Sequence, residues 1–410
     1  MKTTLVTILL ALAAMPSAAQ DLDLLIKNGH VIDPKNGIDR VMDVGIAEGR
    51  IAVVAPDVDA ARADAVVDAA GLYVTPGLID MHVHVFHGTE EDAYISNSYT
   101  SVPADAFTFR TGVTTAVDVG SAGWRNIRTF VDQAVNHSET RVLAFLNIVG
   151  AGMKGGAAEQ DLRDMDPKLT AMTALKYPEV VVGVKLAHYE GPDWTPTDLA
   201  VEAGRQADLP VMIDFGRAEP PLSLETLFFD HLRPGDIFTH VYGNVSRRES
   251  IVENGRLRPF VLDAQQRGVV FDVGHGGSSF AYAVAAPATR AGLWPSTIST
   301  DLHAESTNAG MKDLSNVMSK FLALGMPLTE VIRATTWTPA EVIRRPALGH
   351  LDVGADADVA VLRLRDGAFG LTDSRGYRLP ASQKIEAELT IRAGRVVWDL
   401  NGLAQQSFED

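Results

Sequence analysis

The stretch "YVTPGLIDMHVHVFHG", residues 73–88, decides how the rest of the chain is read. An apolar segment runs through a Pro-Gly turn and then presents His82, His84 and His87. The whole chain has 11 histidines, so three within six residues is a concentration. Imidazole fills a core poorly, because each ring has two nitrogens to satisfy. Side chains along a strand alternate with period two, which puts His82 and His84 on the same side. Two imidazoles pointing one way from a rigid strand form half of a metal site. The plainer alternative is a pair of hydrogen-bonded core histidines.

Outward from this strand, short apolar segments recur between helix-like stretches. The strands read as "GLIDMHVHV", "TTAVDVG", "RVLAFLNI", "VVVGVKLA", "LPVMIDFG", "DIFTHVYG", "GVVFDVGH" and "STISTDLH". "TDLAVEAGRQADL" and "LSNVMSKFLALG" carry apolar residues at helical spacing. Eight strand-helix units predict an α/β fold, a (β/α)₈ TIM-type barrel over residues 71–345, with its site at the C-terminal strand ends. An open doubly wound sheet would need a Gly-rich phosphate turn after its first strand, and none is present. The two chain ends have another texture. "LLIKNGHVID" and "VGIAEGRIAVVA" near the start, and "ADVAVLRLRDG" and "AELTIRAGRVVWDL" near the end, are apolar strands punctuated by Gly-containing turns, a hairpin signature. Residues 20–70 and 346–410 are therefore expected to pair into one small β-sandwich.

Nearly every barrel strand ends in a polar or ionisable residue. His82 and His84 end the first, Lys185 sits in the fourth, Asp214 in the fifth, His240 in the sixth and Asp301 in the eighth. A barrel brings these ends to one mouth, and this nitrogen- and carboxylate-rich set suits zinc or a related divalent ion. Lys185 interrupts an apolar strand where an unpaired ammonium is costly. A buried lysine of lowered pKa is a usable amine, able to capture carbon dioxide as a carbamate that bridges two metals. The alternative is a lysine whose stem packs while its head reaches water. Asp301 is placed to take a proton from a metal-activated hydroxide and pass it to a leaving group, as its alternative is a helix N-cap.

Composition narrows the class. Thirty-six basic against 52 acidic residues give a formal charge of −16, which argues against nucleic acid as partner. The opening "MKTTLVTILLALAAMPSAAQ" has a positive start, an apolar core too short to span a bilayer and small residues before a cleavage point. Residues 1–19 thus read as a signal peptide, and the mature chain as secreted or periplasmic with no membrane association. The chain has no cysteine, so neither disulfides nor lipoprotein attachment apply.

"TPGLIDMHVH", the lysine of "GVKLAH", "DIFTH", "STD" and the ending "TPAEVIRRPALGHLDVGADADVAVL" together resemble the amidohydrolase superfamily in its binuclear, carboxylated-lysine form. "LRPGDIFTHVYGN", "FDVGHGGSSF" and "STISTDLHAESTNAGMKDLSNVMSKFLALG" are similar to its amidohydrolase/deacetylase subgroup, related to dihydroorotases. The resemblance implies that His82 and His84 bind the more buried metal, that Lys185 as carbamate bridges both, that His240 binds the second, and that Asp301 is both ligand and proton shuttle. It also implies that strand five delivers a histidine. Here "VMIDFG" supplies Asp214, which either ligates through oxygen or pairs with Arg217 or another cation.

These readings converge on an exported, metal-dependent hydrolase of an amide or ester bond in a small-molecule substrate, deacetylase-like, using two divalent ions, zinc or zinc-like. His188, Tyr242, His275 and Gly276, within the loop 274–279, are the candidate substrate contacts. Barrels of this kind often pair, so a homo-oligomer stays open. Two other functions share the residues: cyclic amide hydrolysis, as in dihydroorotases or hydantoinases, and a non-catalytic metal-binding barrel.

Overall fold

The seven residues Val181–Ala187 are all buried, which marks a strand covered on both faces. In the computed structural model, which describes residues 21–88, 90, 93–214 and 216–408, this strand lies at the centre of a parallel sheet. The signal peptide expected over residues 1–19 lies outside the described residues. The chain starts with β1 (Leu22–Asp33), β2 (Ile38–Ala47), β3 (Arg50–Ala55), β4 (Ala63–Asp68) and β5 (Tyr73–Pro76). The central sheet follows as β6 (Leu78–Val83), β7 (Val113–Gly123), β8 (Arg141–Asn147), β9 (Val181–Ala187), β10 (Val211–Asp214) and β11 (Ile237–Phe238). A small ribbon of β12 (Val252–Glu253) and β13 (Arg256–Leu257) precedes β14 (Val270–Phe271), the last strand of that sheet.

The eighth barrel segment, "STISTDLH", forms isolated bridges rather than a ladder. Thr297 bridges to Asp272 beyond β14, and Leu302 bridges to Val83 at the end of β6. The segment therefore links the two edges of the seven-stranded sheet and curls it into the expected TIM-type barrel. Asp80 ties the seam, accepting from the Thr300 backbone at 3.1 Å and from its hydroxyl at 2.5 Å.

Helices cover the strands. Thr195–Ala207 has proline in its first turn and buries Ala200, Val201, Ala203, Gly204 and Ala207, as the sequence spacing predicts. A separate cluster, Ile79, Met81, Val117, Val119, Leu143, Phe145, Val182, Met212 and Ile237 with Ala340 and Ile343, draws on six successive strands. Met212 belongs to it, and its sulfur stands 3.5 Å from Lys185 Nζ, so the apolar cluster is the floor beneath the polar strand ends.

Both chain ends build one sheet of eight strands, completed by β15 (Val359–Thr372), β16 (Arg378–Arg392) and β17 (Arg395–Asp399). Its core joins Ile26, Val44, Val67 and Val74 from the start to Val359, Val361, Leu389 and Ile391 from the end. Of the two hairpins expected near the start, "AEGR" is one: Glu48 and Gly49 take positive φ between β2 and β3. The Asn28-Gly29 pair is not. It forms an irregularity inside the continuous strand β1, where the pairing to β2 shifts between Ile26 and Gly29.

Candidate active site

β6 carries the two histidines to the mouth. His82 and His84 are buried, and their Nε2 atoms converge on one oxygen, Asp301 Oδ1, at 3.6 and 3.1 Å. Among the described residues, these three form the one set of metal-ligating side chains whose donor atoms all lie within 4.8 Å of one another. His87, the third histidine of the opening stretch, is exposed.

Each imidazole is held from behind. His82 Nδ1 lies 2.9 Å from Thr239 Oγ1, and that hydroxyl donates to Asp272 Oδ2 at 2.7 Å. Nδ1 is thus the donor to Thr239, and Nε2 keeps its lone pair toward Asp301. His84 Nδ1 is likewise engaged by Ser121 Oγ at 2.9 Å. Burial pushes His82 down to about 3, helped by the nearby Lys185 charge, and lowers His84. For Asp301, burial alone would raise the carboxyl, yet the His303 charge and hydrogen bond hold it well below the usual carboxylate range. A neutral imidazole lone pair facing an ionised carboxylate calls for a cation between them, so the donor set fits a divalent metal.

Lys185 lies beside this set on β9. It is fully buried, and burial lowers its pKa. The hydrogen-bond partner of its Nζ is the Met212 thioether, a weak acceptor. Gly120 makes room for it: a Cβ at that residue, whose φ is +92, would stand 2.7 Å from Lys185 Cγ.

A second group faces it. Asp214 Oδ2 lies 3.1 Å from His240 Nε2 and 3.5 Å from His188 Nε2. His240 Nδ1 donates to the Gly274 carbonyl, which leaves its Nε2 facing the Asp214 carboxylate. Arg248 pairs with Asp214, its Nη1 donating to Oδ1 at 3.0 Å; Arg217 is exposed on the cleft wall. His188 Nδ1 is held at 2.8 Å by the buried Glu159. Burial works to lower His188, but the Glu159 hydrogen bond and charge outweigh it and raise the ring to about 9.

His188, His240 and Asp301 share a feature that sequence does not display. All three have positive φ, 57°, 57° and 54°, a left-handed backbone that costs a branched or bulky residue free energy.

The groups open into a cleft of about 790 Å³ lined by Asp214, His240, Asp301, His188, Arg217 and Glu305 among others. Of the expected substrate contacts, His188 lines it. Gly276 lies against the site, for a Cβ there would sit 2.4 Å from Asp301 Oδ2. Tyr242 and His275 are placed in the core behind the wall. Tyr242 is fully buried, donates to the Leu293 carbonyl at 3.2 Å and packs on Phe280 and Phe321. His275 stacks on Phe280 with centroids 4.6 Å apart.

Residues 282–396 match the amidohydrolase family model. A deacetylase of Agrobacterium fabrum is 35% identical over 336 residues, covering 80% of each chain. A deacetylase of Enterococcus faecalis is 32% identical over 382 residues, 92% of this chain and 99% of that one. The chain belongs to the amidohydrolase family. Solved structures agree: an adenine deaminase superposes with a TM-score of 0.81 at 30% identity, over 92% of this chain and all of that one. A dihydroorotase gives 0.80 at 30% identity, over 92% and 99%. As an amidohydrolase the protein is a hydrolase acting on carbon–nitrogen bonds, with a metal-binding set at the C-terminal strand ends of its barrel.

Sequence reasoning passed over Asp272, Glu159, Thr239 and Arg248. Asp272 ends a buried strand in "VVFDVG", a pattern that marks it as firmly as it marks Asp214. Arg248 lies in the loop "NVSRRES", where the sequence gives no signal.

Proposed function

We propose that this amidohydrolase removes an acyl group from a small amide or ester, as a deacetylase does. The observation that carries the reading is the convergence of His82, His84 and Asp301 on one point at the end of a cleft sized for a small molecule. The two deacetylases, matched over most of their length, favour an acyl substrate over a cyclic amide.

His82, His84 and Asp301 would hold one divalent ion, zinc or zinc-like, and His240 and Asp214 a second. The buried amine of Lys185, whose hydrogen-bond partner among the described residues is a weak thioether acceptor, supports a carbamate shared by the two. When bound, such ions polarise a carbonyl and make water a nucleophile near neutral pH. The chain's own residues do the rest. Asp301, ionised and open to the cleft, takes the proton of the attacking water and delivers it to the leaving nitrogen or oxygen. His303, whose Nδ1 is 2.8 Å from the Asp301 carbonyl and 3.5 Å from its Oδ1, holds that carboxylate in place. His188, kept cationic by Glu159, faces the cleft as a partner for a negatively polarised substrate atom.

Export is the second part of the proposal, supported by the opening 19 residues. None of the helices among the described residues is long and apolar enough to cross a membrane. The test is a hydrolysis panel of N-acetyl amides, O-acetyl esters, hydantoins and dihydropyrimidines, run on protein of known metal content. Turnover of acetyl compounds that vanishes on chelation and returns with zinc supports the reading. Turnover confined to ring opening would replace it with cyclic amide hydrolysis. N-terminal sequencing of the protein from the periplasmic fraction tests export.

A further inference from the structure

We infer that Arg248 is a positioning residue that makes Asp214 usable as a metal ligand: the guanidinium occupies one carboxylate oxygen and balances the charge, leaving the other as a single donor. The inference rests on the metal-dependent reading above.

Strand β10 ends in an anion where a neutral imidazole would otherwise suit the set. An aspartate brings one negative charge more than a histidine, and a second oxygen. Excess negative charge holds a dication more firmly but blunts it as a Lewis acid, and two free oxygens allow a chelating pose in place of a single-atom contact. Arg248 answers both. Its Nη1 donates to Asp214 Oδ1 at 3.0 Å, which leaves Asp214 Oδ2 toward His240 Nε2 at 3.1 Å, with His188 Nε2 farther off at 3.5 Å.

The guanidinium is itself fixed. Its Nη2 donates to the Thr239 carbonyl at 3.2 Å, and its plane lies over the Phe238 ring, 5.1 Å from the centroid. Thr239 is also the residue whose hydroxyl holds His82, so one short segment anchors both halves of the centre. The side chains of Arg248 and Asp214 are 8% and 7% exposed, which screens the pair little from the site. Arginine stays protonated in a protein, so the balance is permanent. Asp214 and Arg248 together present what one histidine would: one donor atom and no net charge.

The test is metal content and affinity, by elemental mass spectrometry after gel filtration and by chelator competition with zinc. Wild type, Asp214→His, Arg248→Met and the double variant are compared, each checked for native circular dichroism. Wild type is expected to hold two ions. Asp214→His removes the carboxylate that balances the guanidinium's charge beside the site and should lose the second ion, or bind it at least tenfold more weakly. The double variant, again neutral with one donor, should regain it. Arg248→Met should bind the second ion at least tenfold more tightly and turn over more slowly, a combination that simple structural damage does not give. Asp214→His holding two ions as firmly as the double variant would overturn the inference. So would a wild type with one ion whose Arg248→Met variant gains another, because the guanidinium would then occupy the ion's place. Wild type with no metal, and none regained from zinc, would instead sink the metal-dependent reading itself.

Discussion

Asp272 stands directly behind His82, with its Oδ2 3.4 Å from the His82 Nδ1. Three hydroxyls fix that carboxylate: Thr239 at 2.7 Å, Thr297 at 2.7 Å, and Ser299 at 2.7 and 2.9 Å to its two oxygens. Carboxylates of this kind orient an imidazole and strengthen its outer nitrogen as a ligand. Asp272→Asn keeps the shape but not the charge. Its zinc affinity should fall by about 10- to 100-fold. Chelator competition measures this, and an unchanged affinity would mean that the Thr239 hydroxyl orients His82 unaided.

Asp301 combines two tasks, and they can be separated. Asp301→Asn retains an oxygen donor beside His82 and His84, but cannot accept a proton. It should keep metal while kcat drops by about 10²- to 10⁴-fold, the usual weight of a positioned base. Near-normal turnover on a substrate that wild type hydrolyses would remove the proton-shuttle role.

The Glu159–His188 pair sets a pH dependence. The folded-state pKa of His188 is raised from 6.5 to about 9, so its contribution to stability is full below the unfolded value and is lost as pH rises through the folded one. Because 40% of the His188 side chain is open to cleft water, screening should place the measured midpoint between those two figures. Glu159→Gln removes the cause. The difference in urea unfolding free energy between wild type and Glu159→Gln should therefore be largest at about pH 6 and shrink toward about pH 10. A difference independent of pH would show that Glu159 acts only through its bond from the Gly155 backbone, 2.9 Å.

Much of the barrel was legible in the sequence because its signals are local. A fully buried run such as Val181–Ala187, apolar but for Lys185, has few structural options, and the polar residue at or near the end of each run marks the mouth. His82, His84, Lys185, His240 and Asp301 could be placed on that logic alone. What was not legible depends on distant pairing. Arg248 meets Asp214 across 34 residues, and Glu159 meets His188 across 29, through loops without periodicity. Tyr242 was expected as a substrate contact, but the positive φ at His240 redirects the chain and turns Tyr242 into the core. The Asn28-Gly29 hairpin failed for a related reason: the same dipeptide serves a bulge as well as a turn, and only the pairing partners β2 and β4 decide between them.

The appended sheet also reaches the site, which gives a final prediction. The hairpin of β15 and β16 turns at residues 373–377 against the loop 276–282, whose Gly277, Ser278 and Ser279 line the cleft. There Asp373 accepts from the Tyr282 backbone at 3.0 Å and from the Arg375 and Tyr377 backbones at 2.8 and 2.9 Å. Ser374 donates from its backbone to the Phe280 carbonyl at 3.0 Å and from its hydroxyl to the Gly276 carbonyl at 3.4 Å. Gly276 in turn abuts Asp301, so the tip braces the loop that limits where that carboxylate can sit. Asp373→Ala removes the acceptor of three half-buried or exposed backbone donors and should lower unfolding stability by about 1–3 kcal/mol. It should also raise KM and lower kcat together, since the loop 276–282 loses its outer support while His82 and His84 keep theirs. A variant that loses stability with both kinetic constants intact would make the hairpin a purely structural clamp.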